Sequence, residues 1–500
     1  MNVTSIQERP RAYDMYVGGE WVSSVSGDRF EALNPATGSG WATFPQAEQA
    51  DVDRAVAAAR RAFEDPAWAG LTGTERGRLL RRLATLVRES TEELAQLESV
   101  DSGRVITDTR AVPGGLATTL DYFAGWADKL DGRVVPVENP AMFNYTLREP
   151  IGVIVAIVPW NNPLVMLGWK LAPALAAGNT VVVKPSEHAP GSTLMFAQLC
   201  ERAGFPPGVV NVVTGFAPPA QALCAHPGVD KISFTGSPAT ARSVARAAVE
   251  NLTMTMFELG GKSANIVFAD ADRASALNGA LMIFAGTGQS CVAPSRLLLE
   301  DSIHDEFLEQ LAERAAALRM GDPLDPATHL GPVATLPQLE SNVRFCERGI
   351  AEGARVILGG GPAEDDELGG GWYFQPTIFA DADPDMFIAQ HEAFGPILTV
   401  LRFSTEEEAI EIANGTPYGL AAGVWTENLR RGHRMAGRLR AGVVWVNTWR
   451  NFSPASPFGG AKESGYGREN GPEALYEVTT PKSVWIEMSG EVQDPFSRTS

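Results

Sequence analysis

The sequence predicts an α/β protein: a doubly wound parallel-sheet domain with a second α/β domain beside it. Three observations carry this. From Ile151 onward, short β-branched runs alternate with helical stretches punctuated by Gly, Pro and Ala, the rhythm of a parallel sheet with crossover helices. After Glu258 the alternation resumes, in a second region. Finally, 500 residues exceed what one core supports, while 44% hydrophobic and 20% charged residues describe an ordinary globular chain.

In chain order, Tyr16-Val-Gly-Gly-Glu-Trp-Val22 reads as a hairpin about Gly18-Gly19. Val52, Ala55, Val56, Ala59 and Phe63 recur at helical spacing, as do Leu79, Leu80, Leu83, Leu86 and Val87. Ser90-Thr-Glu-Glu93 has the capping-box pattern and is expected to open another helix. These apolar stripes are expected to pack and to carry no chemistry. Strands are expected at Ile151–Val158, Thr180–Val183, Val209–Val213, Lys231–Phe234 and Thr253–Phe257, with helices such as Leu164–Ala177 and Ala239–Val249 between them. In the second region, strands are expected at Asn265–Phe268, Arg296–Leu299, Ala354–Leu358, Ile397–Phe403 and Gly442–Val446, with helices at Ile303–Leu318 and Glu406–Ala413. Gly132–Leu147 and Ser483–Met488 are extended and lie outside the rhythm. Both are expected to be edge strands that could pair with another subunit.

Composition excludes several partners. A net charge of −19 repels phosphate backbones and anionic lipid, so neither nucleic acid nor membrane is expected. Cys200, Cys224, Cys291 and Cys346 form no CxxC pair, which argues against a metal centre and a disulfide framework. The opening MNVTSIQERPRAYD lacks the apolar core of a leader, and the longest apolar run, Ile151 to Pro159, is far shorter than the ~20 residues of a membrane span. A cytoplasmic location is the expectation. No G-x-G-x-x-G, P-loop, H-E-x-x-H or G-x-S-x-G occurs.

Two segments stand out chemically. Cys291 lies in Phe284-Ala-Gly-Thr-Gly-Gln-Ser-Cys-Val-Ala293, a small-residue turn that gives a thiol open access and backbone N–H groups. The other cysteines lie in helical apolar stretches and read as small hydrophobes. Glu258 leaves a strand-like run into Leu259-Gly-Gly-Lys262. Burial there would raise its pKa toward a useful general base; the alternative is a salt bridge to Lys262.

Phe-Glu-Leu-Gly-Gly-Lys-Ser (257–263) and Gly-Gln-Ser-Cys (288–291) resemble the glutamate and cysteine signatures of the NAD(P)-dependent aldehyde dehydrogenase superfamily. Pro159-Trp160-Asn161, Lys184-Pro185-Ser186-Glu187, Phe234-Thr235-Gly236-Ser237, Glu392-Ala393-Phe394-Gly395-Pro396 and Ser456-Pro457-Phe458-Gly459-Gly460 follow in the family's order. The resemblance runs from Tyr16 to Met488. Two departures stand beside Cys291: Gly286 where an asparagine is usual, and Pro294 just after the motif.

The resemblance implies NAD-dependent oxidation of an aldehyde to a carboxylic acid. Cys291 is then the nucleophile, Glu258 the base that activates water, and Asn161, with the Cys291 N–H, the oxyanion donor. For the cofactor it implies Trp160, Lys184, Ser186, Glu187, Gly215, Gly236, Ser237, Leu259, Gly260, Glu392 and Phe394. Lys184 and Glu187 would meet the adenosine ribose, Ser237 opens a helix suited to a pyrophosphate, and Glu392 would hold the nicotinamide ribose. For the aldehyde tunnel it implies Asn162, Val165, Met166, Trp169, Ser290, Val292, Trp449, Phe452 and Phe458. Arg450 reads either as a group at the tunnel mouth or as a solvated or subunit-contact arginine. Lys170 and Glu469 match a possible proton path, against a reading as surface charges.

The implied division is a discontinuous NAD-binding domain over 1–125 and 151–258, a catalytic domain over 259–471, and a β oligomerisation arm with tail over 126–150 and 472–500. A homodimer or homotetramer follows. Two alternatives remain at this point: a coenzyme A-acylating semialdehyde dehydrogenase, which needs no water-activating glutamate, and a non-catalytic protein reusing the fold.

Overall fold

The computed structural model describes residues 11–363, 368–491 and Phe496. The first ten residues of the opening segment, most of that read above for a leader, lie outside the described residues, as do 492–495 and 497–500 of the tail. Among the described residues, no helix is long and apolar enough to cross a membrane, and no group of His, Cys, Asp and Glu side chains is arranged to hold a metal ion.

Two large sheets organise the chain. The first has eight strands, and five consecutive ones are parallel: Met254–Leu259, Lys231–Gly236, Val153–Val158, Thr180–Pro185 and Val210–Val212. Val-Ile-Val-Ala-Ile-Val and Thr-Val-Val-Val-Lys-Pro are buried along their whole length, as expected of parallel strands covered on both faces. Helix Pro163–Ala177 covers one face; Pro163 opens it, and Gly178 closes it in the left-handed conformation. The hairpin Met15–Val17 with Glu20–Val22 forms as expected and adds an antiparallel edge. At the other edge, Gly465–Tyr466 pairs antiparallel with Phe257 and Glu258, a contact that no local pattern announced.

The second sheet has seven strands: Arg355–Leu358, Thr377–Ala380, Ile397–Phe403, Arg296–Glu300, Ala264–Val267, Ala421–Trp425 and Val443–Val446, all parallel except the first. Thr377–Ala380 and Ala421–Trp425 were not foreseen; both are short and wholly buried, so they show no alternation.

Two expectations need correction. Ser90 does precede helix Thr91–Ser102, but its side chain makes no cap bond. The capping box forms instead at helix Gly73–Glu89, where Thr72 Oγ1 accepts from Glu75 N–H and Glu75 Oε2 accepts from Thr72 N–H at 2.8 Å. Ser90 follows directly on that helix and remains in its last turn, so its backbone cannot take the extended geometry of a capping residue. The extended segments, for their part, pair first with each other: Met142–Pro150 lies antiparallel to Thr479–Glu487 over nine residue pairs, and Val134–Val135 completes a three-stranded sheet. Its two outer strands remain edges.

Candidate active site

The parallel strands of the first sheet end together, and the motif residues follow at that carboxyl edge. Pro159-Trp160-Asn161 leaves Val158, Ser186-Glu187 leaves Pro185, Ser237 leaves Gly236, and Glu258-Leu259 closes the neighbouring strand. In an open parallel sheet this edge is where ligands bind. A cleft of about 610 Å³ lies there, lined by Trp160, Lys184, Ser186, Glu187, Gly236 and Ser237 among others. Lys184 Nζ pairs with Glu187 Oε2 at 3.0 Å. Burial lowers the lysine's pKa, partly offset by Glu187. Burial acts to raise Glu187, but Lys184 and its own backbone N–H carry it below its ordinary value. Ser237 caps helix Pro238–Val249, its Oγ accepting from Thr240 N–H at 3.1 Å.

Gly215 does not line the cleft: its missing side chain faces Pro219 and Gln46 instead. It shapes the turn into helix Ala217–Ala225, whose Ala217, Ala220, Gln221 and Cys224 form a wall the sequence reading missed.

Glu392 is not among the residues that line the cleft and stands against the Gly260-Gly261 turn. Its Oε1 accepts from Gly261 N–H at 3.0 Å, and a Cβ on Gly260 would overlap its carboxylate, so glycine is required for that approach. Burial raises the Glu392 carboxyl to about 7, against Gly261 N–H and Lys262. Phe394 meets the Trp160 ring edge-on at 5.3 Å, joining motifs far apart in sequence. Leu259 is buried beside them.

Cys291 lies where the glutamate and cysteine segments touch: a Cβ on Gly261 would come within 2.5 Å of the Cys291 carbonyl oxygen. The loop before it is unusual. Gly286, Thr287 and Gly288 are successive left-handed residues, with φ of 61°, 57° and 69°. Gly286 opens this run, so the departure from asparagine keeps a residue that tolerates φ > 0. Gly288 has no alternative, because a Cβ would overlap the Gly395 carbonyl. Side chains hold the loop: Thr287 Oγ1 donates to Gly331 O at 3.0 Å, and Gln289 Oε1 accepts from Ala334 N–H at 2.8 Å. Arg296, buried just beyond, donates to the Lys262, Ile412 and Ala413 carbonyls.

Asn161 Nδ2 donates to Gln289 O at 2.8 Å, which orients its amide toward the cysteine loop and leaves a second N–H. Burial pushes the Cys291 thiol up to about 12, aided by the charges of Glu392 and Glu258 and opposed by Arg450. Glu258 is 3% exposed and neither carboxylate oxygen has a hydrogen-bond partner within the protein. Burial raises it well above the carboxylate range, and the Glu469 charge adds to this. The expected alternative, a salt bridge to Lys262, is absent among the described residues. Lys262 Nζ stands over the Phe345 ring at 5.2 Å. Lys170 and Glu469 are not surface charges: they pair at 2.5 Å, each side chain 1% exposed, with Ser233 Oγ accepting from Lys170 at 3.1 Å.

A second cavity, of about 550 Å³, opens at Cys291. Asn162, Val165, Met166, Trp169, Ser290, Val292, Phe452 and Phe458 line it as expected, and Arg450 joins them. Trp449 does not. It turns away, buried against Trp445 at 5.1 Å between ring centres, and occupies the space left by Gly423. The opposite wall was missed. It comes from Arg104, the short helix Ile106–Thr109 and helix Val112–Trp126, through Thr107, Asp108, Val112 and Leu116. Their segment falls within the stretch that the resemblance gives to the NAD-binding domain.

The family model for the aldehyde dehydrogenase family matches residues 21–484. The chain belongs to the aldehyde dehydrogenase family. It is 49% identical over 488 residues to (Z)-2-((N-methylformamido)methylene)-5-hydroxybutyrolactone dehydrogenase of Acinetobacter baylyi, covering 97% of this chain and 99% of the relative. Betaine aldehyde dehydrogenase of Bacillus subtilis is 43% identical, with 94% and 96% covered. The crystal structure of PnpE from Pseudomonas sp. WBC-3 superposes with a TM-score of 0.94 at 46% identity, covering 97% of this chain and 99% of that one. A structure of PnpE in complex with nicotinamide adenine dinucleotide gives 0.95 at 47% identity, with 97% and 100% covered. As a member of the family, the protein is an NAD-dependent oxidoreductase acting on aldehydes. The coenzyme A-acylating and non-catalytic alternatives are not favoured.

Proposed function

We propose that the chain oxidises a functionalised aldehyde to its carboxylic acid through a thioester on Cys291, with Glu258 as hydrolytic base and Asn161 as oxyanion donor. One observation carries this reading. Cys291, the sole cysteine that is not fully buried, lines the second cavity, with the Asn161 amide bonded to its loop at Gln289 O and a buried, unpartnered Glu258 within electrostatic reach.

NAD supplies a hydride acceptor when bound. The first cleft fits it: Lys184 and Glu187 stand ready for ribose hydroxyls, the N-terminus of helix Pro238–Val249 faces the cleft for a pyrophosphate, and the Gly260 approach keeps Glu392 within electrostatic reach of Cys291. The chain's own groups do the rest. Cys291 gives its proton to solvent water and its sulfur attacks the aldehyde carbon. The oxyanion is met by the free Asn161 N–H and by the Cys291 backbone N–H, which makes no hydrogen bond among the described residues. Once the carbon is oxidised to the thioester, ionised Glu258 takes a proton from water, the hydroxide attacks the acyl carbon, and the sulfur leaves. The Lys170–Glu469 pair lies within electrostatic reach of Glu258 and supports a route for the proton outward.

Asn162 in the tunnel wall, where an aromatic residue would narrow it, supports a functionalised aldehyde over acetaldehyde. The domain division given above, a homodimer or homotetramer built through the three-stranded arm, and a cytoplasmic location complete the reading. The test separates the half-reactions. Glu258→Gln is expected to release about one NADH per site and then stall as the thioester, whereas Cys291→Ala gives neither burst nor turnover while still binding NAD. Wild-type steady turnover in Glu258→Gln would exclude the hydrolytic role.

A further inference from the structure

Three charged side chains line the cavity that opens at Cys291: Arg104, Asp108 and Arg450. Arg104 is committed, its Nη1 donating to Glu98 Oε1 at 2.8 Å, with the Glu98 side chain fully buried. Asp108 stands half-buried on the opposite wall. Arg450 has neither a hydrogen bond nor an ion pair among the described residues. Arg450 lines the cavity half-buried, with none of its five donors paired among the described residues, and so is open to a ligand.

The backbone holds it in that position. Arg450 has φ of 57°, and Asn447, three residues earlier, has φ of 54°. Both lie in the left-handed region, which costs a non-glycine residue energy and persists only where surroundings enforce it. Trp449 is the enforcing contact. Its ring is buried against Trp445, whose Nε1 donates to Asn451 O at 3.1 Å. One side chain of the turn is thus fixed in the core and the next is delivered into the cavity.

Burial lowers the Arg450 pKa and Arg104 lowers it further, against the opposing Asp108 and Cys291. The guanidinium is also close enough to oppose the upward push on the Cys291 thiol. Aromatic walls such as Trp169, Phe452 and Phe458 would suit a quaternary ammonium, but the unpartnered Arg450 guanidinium beside them repels a cationic tail. A carboxylate is planar, bidentate and opposite in charge, and matches the guanidinium fork.

We propose that the aldehyde this enzyme oxidises carries a carboxylate, which Arg450 binds while the aldehyde carbon lies at Cys291. The proposal deepens the proposed function and rests on it. The product is then a dicarboxylate.

The probes are 4-oxobutanoate, neutral pentanal and cationic 4-(trimethylammonio)butanal, assayed by NADH formation with the full-length enzyme. The expected kcat/KM for 4-oxobutanoate exceeds that for pentanal by about tenfold or more, with the cationic aldehyde poorest. In Arg450→Gln that ratio falls by about tenfold, chiefly through KM for 4-oxobutanoate, and Arg450→Lys restores part of it. A wild-type preference for pentanal or for the cation overturns the proposal without any variant. So does an unchanged ratio in Arg450→Gln with both rates lowered and the pH profile displaced, which would assign Arg450 to thiolate formation instead. If none of the three yields NADH, the oxidation reading beneath the proposal falls with it.

Discussion

Glu258 and Cys291 both lie in the site with their uncharged forms favoured, Glu258 by burial and the Glu469 charge, Cys291 by burial and two neighbouring carboxylates. The sign of the pH dependence follows. Hydrolysis needs ionised Glu258, and its raised pKa means that the ionised fraction is still growing above the ordinary carboxylate range. The deacylation rate is therefore expected to go on climbing with pH above the ordinary carboxylate range, and rapid-quench measurement of thioester decay checks it. In Glu258→Gln that limb should be flat; a flat limb in the unmodified enzyme would remove Glu258 from the step. A second residue-scale prediction concerns Glu187. Its carboxylate, held below its ordinary pKa beside Lys184, is anionic at neutral pH and repels a 2′-phosphate. NAD should be preferred, and Glu187→Gln should shift the NADP/NAD ratio of kcat/KM by about tenfold, ~1.4 kcal/mol. Equal use of both cofactors by the unmodified enzyme would contradict this.

Among the elements, the loop from Gly286 to Cys291 is the most constrained. Three successive left-handed residues, a close approach of Gly288 to Gly395 and the Gln289 latches fix where the sulfur stands. Gly288→Ala adds a strained φ, worth about 1–3 kcal/mol, and an overlap with backbone that cannot swing aside. Aldehyde turnover is expected to drop by at least ~100-fold while NAD titration, which reads the other cleft, stays near normal. Turnover close to wild type would mean that the loop relaxes freely. The motif spelling Gly-Gln-Ser-Cys was legible in the sequence; the reason for its first glycine was not, because Gly395 lies on a distant segment. Helix Ile106–Thr109 makes the same point. Four residues show no period, and nothing in Ile-Thr-Asp-Thr announces a cavity wall.

For the whole molecule, the arm is the feature left incomplete. Thr479–Glu487 and Val134–Val135 are unpaired on their outer sides, and Trp485, Ile486, Phe143 and Leu147 are 59%, 40%, 39% and 41% exposed. An open strand edge with apolar side chains invites pairing with another copy. Trp485→Glu is expected to lower the mass of the particle in sedimentation, with unfolding of the protomer little changed. A monomeric wild-type protein would refute the oligomer reading.

The sequence by itself determined the strand–helix rhythm, the order of the motifs and the family to which the chain belongs. Burial of Val- and Ile-rich runs and the helical spacing of apolar faces are local physics, written in consecutive residues. Family motifs, likewise, are contiguous strings. Only the tertiary structure decided that Lys170 and Glu469 are a buried pair, that Trp449 points into the core while Arg450 faces the cavity at Cys291, that Gly215 shapes a turn rather than a wall, and that residues 104–119 line that cavity's opposite side. Several of these depend on segments some 300 residues or more apart in the chain, and the direction a side chain takes in a turn is set by what packs against its neighbours, which no local pattern records.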